Sequence, residues 1–220
     1  MIDFTRLRRS MVDSQIRPNA VTDPRIIEAM LELPREQFVP SSRANLAYLD
    51  DDLPLSDGTA ARCLMEPMVL ARLVQGLELS ETDNVLDVGG ATGYSTALLA
   101  RLARQVVMVE EDANLVSAAR KNLSDLAIIN VDIVSGPLKG GASGKGPYDA
   151  ILLNGSVEVV PDSLLAQLDE GGRLATVVRN GPPGRATLFM RAGGVVSRRP
   201  LFDAGVTPLP GFEATRGFVF

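Results

Sequence analysis

The 220-residue chain contains no histidine. That absence removes every mechanism that relies on an imidazole base, the Ser-His-Asp and Cys-His arrangements included. It also takes away the commonest transition-metal ligand. An enzyme made from this chain is therefore expected to run chemistry that needs no strong base. Cysteine is almost as scarce: Cys63 stands alone, so no intrachain disulfide and no cysteine-rich zinc pattern is possible, and no metal site is expected. No stretch approaches the ~20 apolar residues that span a bilayer. The N-terminus, MIDFTRLRRSMVDSQ, has no apolar core of the kind a secretory signal needs. The expectation is a cytoplasmic protein without membrane attachment. A basic excess is missing too. The net charge is −5 and the pI is near 4.9, which argues against the basic footprint that nucleic acid requires. The clusters RLRR at 6–9 and RR at 198–199 read as solvated faces.

What is present is enough for a substantial core, with 45% hydrophobic residues. The chain reads as one domain over 1–220, with a helical part at 1–80 and a sheet at 81–220. Apolar spacing predicts helices over 5–15 and 24–33, the second capped by Thr22 or Asp23 ahead of Pro24. Residues 34–62 read as irregular, and Glu66-Pro67 opens another helix. From residue 84 strands and helices alternate. Strands are predicted at 84–88, 105–110, 128–134 and 148–154, and helices at about 93–103, 112–123 and 161–168. These apolar, β-branched runs suit a buried parallel sheet, hence a doubly wound, mostly parallel α/β fold. The glycine-rich loop 136–147 reads equally as a lid or a connector. Runs at 173–180, 185–192 and 195–202 predict an antiparallel C-terminal edge, to which 218–220 adds a candidate strand.

The stretch VLDVGGATGYS (85–95) puts glycines at the carboxyl end of the first of these strands, where doubly wound sheets bind ligands. A nicotinamide fingerprint, G-x-G-x-x-G, fails: counted from Gly89, its second and third glycines fall on Ala91 and Tyr94. The pattern [D/E]-x-G-x-G-x-G of S-adenosylmethionine-dependent methyltransferases fits better, as Asp87-Val88-Gly89-Gly90-Ala91-Thr92-Gly93, with alanine at the central glycine. Asp87 is positioned to fix the amino-acid end of such a cofactor. Glu110 lies 21 residues beyond Gly89, close to the roughly 20 expected for an acid that grips ribose. Glu111 and Asp112 read as helix capping.

Further motifs extend the likeness. The chain resembles the protein-L-isoaspartate O-methyltransferase family, with a Rossmann-like methyltransferase sheet. IIEAMLELPREQFVP resembles the family's V-x-x-A-x-x-x-V-P-R-E-x-F-V-P. LAYLDDDLPL resembles A-Y-x-D-x-x-L-P-I, and PDSLLAQLDEGGRL resembles P-x-x-L-x-x-Q-L-x-x-G-G-R-L. The resemblance implies S-adenosylmethionine as cofactor, a protein, peptide or small carboxylate as acceptor, and cofactor contacts from Asp87, Gly89, Gly90, Ala91, Gly93, Tyr94, Glu110 and Gly136. It departs at two places. The family's G-x-T-I-S-x-P supplies threonine and serine hydroxyls at the transfer site; aligned on Pro67 these are Cys63 and Met65, with Thr59 out of register. The family's G-D-G after the third strand is Ser135-Gly136-Pro137, without its acid.

Methyl transfer from a sulfonium to a carboxylate needs positioning and no base, because the acceptor, with a pKa near ~4, is already ionised at pH 7. This agrees with the missing histidine. Tyr48, Cys63, Met65 and Asn154 are the candidate catalytic residues beside the acceptor, with Asp50 in the A-Y-x-D motif. Three readings stay open at this point: an O-methyltransferase with an altered acceptor site, a binding module that kept the fold without turnover, or an enzyme for a different small acceptor.

Overall fold

The computed structural model describes residues 2–56 and 62–214; Thr59 and the candidate strand 218–220 lie outside them. Helix α1 (Phe4–Met11) is capped by Asp3, which accepts from Arg6 N at 2.9 Å, and runs on into a π turn, Val12–Ile16. Helix α2 (Pro24–Glu32) starts at Asp23, whose side chain accepts from Arg25 N, with proline in the first turn. Between α2 and Pro67 the described residues hold short 3-10 turns and a two-residue ribbon, β1 (Leu53–Pro54) against β2 (Cys63–Leu64). Helix α3 (Pro67–Gly76) follows, opened by Pro67.

The remainder alternates as expected: β3 (Asn84–Val88), α4 (Tyr94–Ala100), β4 (Gln105–Glu110), α5 (Ala113–Asp125), β5 (Val131–Ser135), β6 (Tyr148–Val157), α6 (Asp162–Leu165), β7 (Leu168–Val178), β8 (Gly184–Ala192) and β9 (Val195–Ala204). These strands form one seven-stranded sheet in the order β5-β4-β3-β6-β7-β8-β9. β3 to β7 pair in parallel, and β8 and β9 turn back as antiparallel hairpins. Both faces of the central strands are covered, so they are mostly apolar rather than alternating, with buried polar groups such as Asp87 and Glu110 toward their carboxyl ends. One buried cluster joins the N-terminal helices and α4 to the sheet, from Met11 to Val206; a second lies on the opposite face with Leu138, Leu164 and Phe212.

Several boundaries differ from the sequence reading: α4 already ends at Ala100, β6 runs on to Val157 and β7 starts at Leu168, and two further differences have a visible cause. The strand expected at 128–134 starts at Val131, because Ala127 adopts φ +52° and Asn130 turns inward to donate to Ala100 O and Ala103 O. The helix expected at 161–168 is a single turn, because Leu168 already pairs with Tyr148 as the start of β7. Loop 136–147 is a tied connector: Gln167 donates to Gly140 O and accepts from Ala142 N, Tyr148 Oη donates to Ala142 O, and Lys145 pairs with Asp132.

The chain reverses direction across the sheet beside β3, which has β4 on one side and β6 on the other. In open α/β sheets the crevice beyond the carboxyl ends at such a switch point is the ligand locus.

Candidate cofactor site

The turn after β3 is shaped by its glycines. Gly89 adopts φ +80° and Gly93 φ +96°, a region closed to most side chains. Gly90 is needed for close approach: a methyl group there would lie 2.7 Å from Thr96 Oγ1 and 2.8 Å from Met108 Cγ. Ala91, at the family's central glycine, is held at φ +53°. A left-handed alanine is strained by about 1–2 kcal/mol, partly offset by the lower chain entropy it loses on folding. Ala91→Gly is therefore expected to raise stability by up to about 1 kcal/mol, read in a urea titration; a loss of stability would show that the methyl group packs usefully.

Glu110, at the tip of β4, is fully buried. It accepts from Ala91 N at 3.0 Å, Glu111 N at 2.9 Å and Asp112 N at 3.2 Å. Arg62 Nη1 donates to it at 2.9 Å, and Arg62 Nη2 donates to Gly89 O at 2.7 Å. The acid thus knits the glycine turn to the start of α5 and carries a guanidinium on its open side.

Asp87 is also fully buried. Its Oδ2 accepts from Ser95 Oγ and Thr96 Oγ1, both at 2.7 Å, and Asn154 Nδ2, at the irregular stretch of β6 between Leu152 and Ser156, donates to Ser95 Oγ at 2.7 Å. Burial pushes the Asp87 carboxyl up to about 6 against the pull of its hydroxyl donors, and Glu110 adds to the rise. Glu66, ahead of α3, is pushed up to about 7 by burial and by Asp50, Asp52 and Asp51. A raised folded-state pKa means the native state holds the proton more tightly than the unfolded chain, so stability falls as pH rises through the window. Asp87→Asn is expected to gain on wild type between pH 4 and pH 6, by up to roughly 3 kcal/mol. Glu66→Gln gains between pH 4.5 and pH 7, by about 1 kcal/mol at most, since this group is partly solvated. Thermal unfolding of each variant at four pH values checks both; pH-independent differences would contradict them.

Cys63, Met65 and Asn154 come together. With Asp52, Arg62, Gly155, Thr207 and Leu209 they line one small cavity of about 10 Å3. Burial pushes the Cys63 thiol up, so it stays neutral at pH 7. Met65 O accepts from the buried Arg35 Nη2 at 2.6 Å. Asp52 accepts from Glu66 N and from Thr207 N, joining the start of α3 to the 206–212 segment. Larger hollows, about 530 and 710 Å3, lie near β8 and β9 and include none of the glycine-turn residues.

Of the other expected site residues, Tyr48 and Tyr94 are taken up by packing, whereas Gly136 stays next to Glu110. Tyr48 belongs to the N-terminal helices: its hydroxyl donates to Glu36 and accepts from Arg8 Nε at 3.0 Å. Tyr94 is buried with its ring edge-on to Phe38, centroids 5.3 Å apart, and under Arg35 at 4.7 Å, so core packing takes it up. Gly136 follows β5 with open space over its Cα, and its N–H donates to Glu110 O at 3.1 Å. Asp50 accepts from Met68 N at the start of α3. Sequence reasoning missed Arg62, Ser95 and Leu209. Arg62 was findable only as the variable position before Cys63; Ser95 sits one turn into α4, where it reads as an ordinary helix residue.

A glycine turn at the switch point, an acid on each of two adjacent strand tips and an antiparallel C-terminal edge define a class I methyltransferase site. A family model described as Protein-L-isoaspartate(D-aspartate) O-methyltransferase (PCMT) matches residues 6–201. Among curated relatives, protein-L-isoaspartate O-methyltransferase of Koribacter versatilis is 35% identical over 94% of this chain and 92% of its own. That of Syntrophus aciditrophicus is 40% identical over 80% of this chain and 79% of its own. A solved protein-L-isoaspartate O-methyltransferase superposes with a TM-score of 0.80 at 28% identity, over 93% of this chain and 66% of the other. A Plasmodium falciparum structure, described as a β-aspartate methyltransferase in complex with S-adenosyl-L-homocysteine, shares the fold with a TM-score of 0.76 at 19% identity, over 94% and 98%. The chain belongs to the protein-L-isoaspartate (D-aspartate) O-methyltransferase family, whose activity is S-adenosylmethionine-dependent O-methylation.

The acceptor groups present suit that cofactor. Asp87 Oδ1 and Asn154 Oδ1 are buried and accept no hydrogen bond from the described protein, which is unusual for buried polar atoms. Both would accept from an ammonium group, and Glu110 would accept from sugar hydroxyls. The space is another matter. A methyl group built on Gly89 would lie 2.8 Å from Leu209 Cδ2 and 2.9 Å from an Arg62 guanidinium nitrogen. The chain's own side chains thus fill the place against the turn.

Proposed function

We propose that this protein methylates a carboxylate of a protein or peptide, with isoaspartyl residues as the acceptor class and an acceptor wall altered from the family pattern. The unpartnered acceptors Asp87 Oδ1 and Asn154 Oδ1, beside the glycine turn, carry this reading. They would hold the amino-acid end of the cofactor, and Glu110 its ribose. The turn at Gly89, Gly90, Ala91 and Gly93 would lie against it, with Gly136 on the adenine side. S-adenosylmethionine, when bound, supplies a methyl group on a positively charged sulfur.

The protein's part is orientation. A carboxylate acceptor arrives ionised, so no residue has to remove a proton, and positioning alone supplies roughly 7–11 kcal/mol. Cys63, Met65, Asn154 and Thr207 form the wall that would position it. Cys63 donates poorly compared with a hydroxyl and Met65 has no donor at all, and Thr207 brings a hydroxyl to the same cleft from a different part of the chain. A cytoplasmic setting goes with this reading, since the cofactor is an intracellular metabolite. Among the described residues no helix is long and apolar enough to cross a membrane.

The test is base-labile methyl label on an isoaspartyl peptide. Wild type is expected to label slowly, and the Cys63→Thr/Met65→Ser double variant at least tenfold faster. No label from either protein, with S-adenosylhomocysteine binding intact, would remove isoaspartate as the acceptor.

A further inference from the structure

We infer that Arg62 sets the affinity of the cofactor site by competing, as a tethered guanidinium, for Glu110. The inference rests on the cofactor reading above. The Arg62 side chain is 13% exposed and that of Glu110 not at all. Arg62 bridges two strand tips at once, Glu110 on β4 at 2.9 Å and Gly89 O beyond β3 at 2.7 Å. A sugar held by Glu110 and a cofactor lying against Gly89 would need both of those positions. Pairing of Arg62 and binding of the cofactor are mutually exclusive.

The geometry separates a fixed part from a movable one. Arg62 O accepts from Leu55 N at 2.8 Å, and the next residue, Cys63, pairs with Pro54 in the β1–β2 ribbon. The backbone at 62 is anchored there, so opening is a swing of the long side chain and leaves the ribbon in place. Leu209 is a second occupant. Its backbone N–H donates to Ser156 O at 2.8 Å, and its side chain covers both Gly89 and Gly155. The two together leave only about 10 Å3, whereas sites for molecules of cofactor size run to roughly 300–1,000 Å3.

A site that is open only part of the time binds with its intrinsic constant divided by the open fraction. Removing the guanidinium removes that handicap. Glutamine is the suitable replacement, polar but uncharged and too short to bridge both strand tips.

Calorimetry with S-adenosylhomocysteine on wild type, Arg62→Gln and Arg62→Gln/Leu209→Ala tests the inference without any turnover. The single variant is expected to bind at least tenfold tighter than wild type, and the double variant tighter again. Arg62→Lys, which keeps the charge but cannot fork, is expected in between, and serves as the comparison should Arg62→Gln fail to fold. If wild type binds measurably and Arg62→Gln binds equally well or more weakly, the competition is refuted while the cofactor reading stands. If none of the variants binds at millimolar ligand, the cofactor reading falls and the inference falls with it.

Discussion

Glu110→Ala is expected to lose S-adenosylhomocysteine affinity by at least a hundredfold and to be less stable by about 3–5 kcal/mol. The affinity loss follows from two hydrogen bonds to a charged acceptor, each worth roughly 1.5–3 kcal/mol. The stability loss has a separate cause. Glu110 is fully buried and satisfies the N–H groups of Ala91, Glu111 and Asp112 as well as the Arg62 guanidinium. Removing one partner of a buried pair leaves the other charge uncompensated, which carries the larger penalty. Glu110→Gln separates the two effects. It can still accept from backbone N–H groups, so it is expected to recover part of the stability while its affinity stays low. Calorimetry and urea titration on both variants check this. Wild-type stability together with affinity within threefold in Glu110→Ala would mean that the acid neither holds the turn nor contacts the ligand.

The second large effect is expected at Gly90. An added methyl group would lie 2.7 Å from Thr96 Oγ1, 2.8 Å from Met108 Cγ and 2.9 Å from Asp87 Oδ2. The crowding falls on the Thr96–Asp87 hydrogen bond at 2.7 Å, inside a closely packed region with no slack. Gly90→Ala is expected to be less stable by about 3 kcal/mol, from overpacking together with a weakened buried hydrogen bond. Gly136→Ala is the control. Nothing lies within 4 Å of a methyl group there, so its effect is expected within about 0.5 kcal/mol. Equal effects at the two positions, in thermal or urea unfolding, would refute the packing argument.

The legible parts of this molecule were local. The strands Asn84–Val88 and Gln105–Glu110 stand where the apolar runs put them, because a strand covered on both faces is apolar at most of its positions. The glycine turn and its acid were readable as spacing along the chain, and the antiparallel C-terminal edge as runs broken by glycine and proline. The ends of β5 and α6 were not, since Asn130 bonding to Ala100 and Leu168 pairing with Tyr148 are contacts with distant partners. Tyr48 and Tyr94 stand beside motif residues in the sequence, and their rings are directed away into the core all the same.

By itself, then, the sequence determined the order of strands and helices, the family, the two acids at the strand tips and a chemistry that proceeds without an imidazole. Those features depend on residue type and on separations of a few to about twenty positions. Only the tertiary structure decided what faces those acids. Arg62 reaches Glu110 across 48 positions, and Leu209 comes to rest against Gly89 from the far end of the chain. No periodicity encodes such meetings. They arise because the β1–β2 ribbon and the 206–212 segment pack over the same crevice, and packing brings together side chains whose distance along the chain carries no signal.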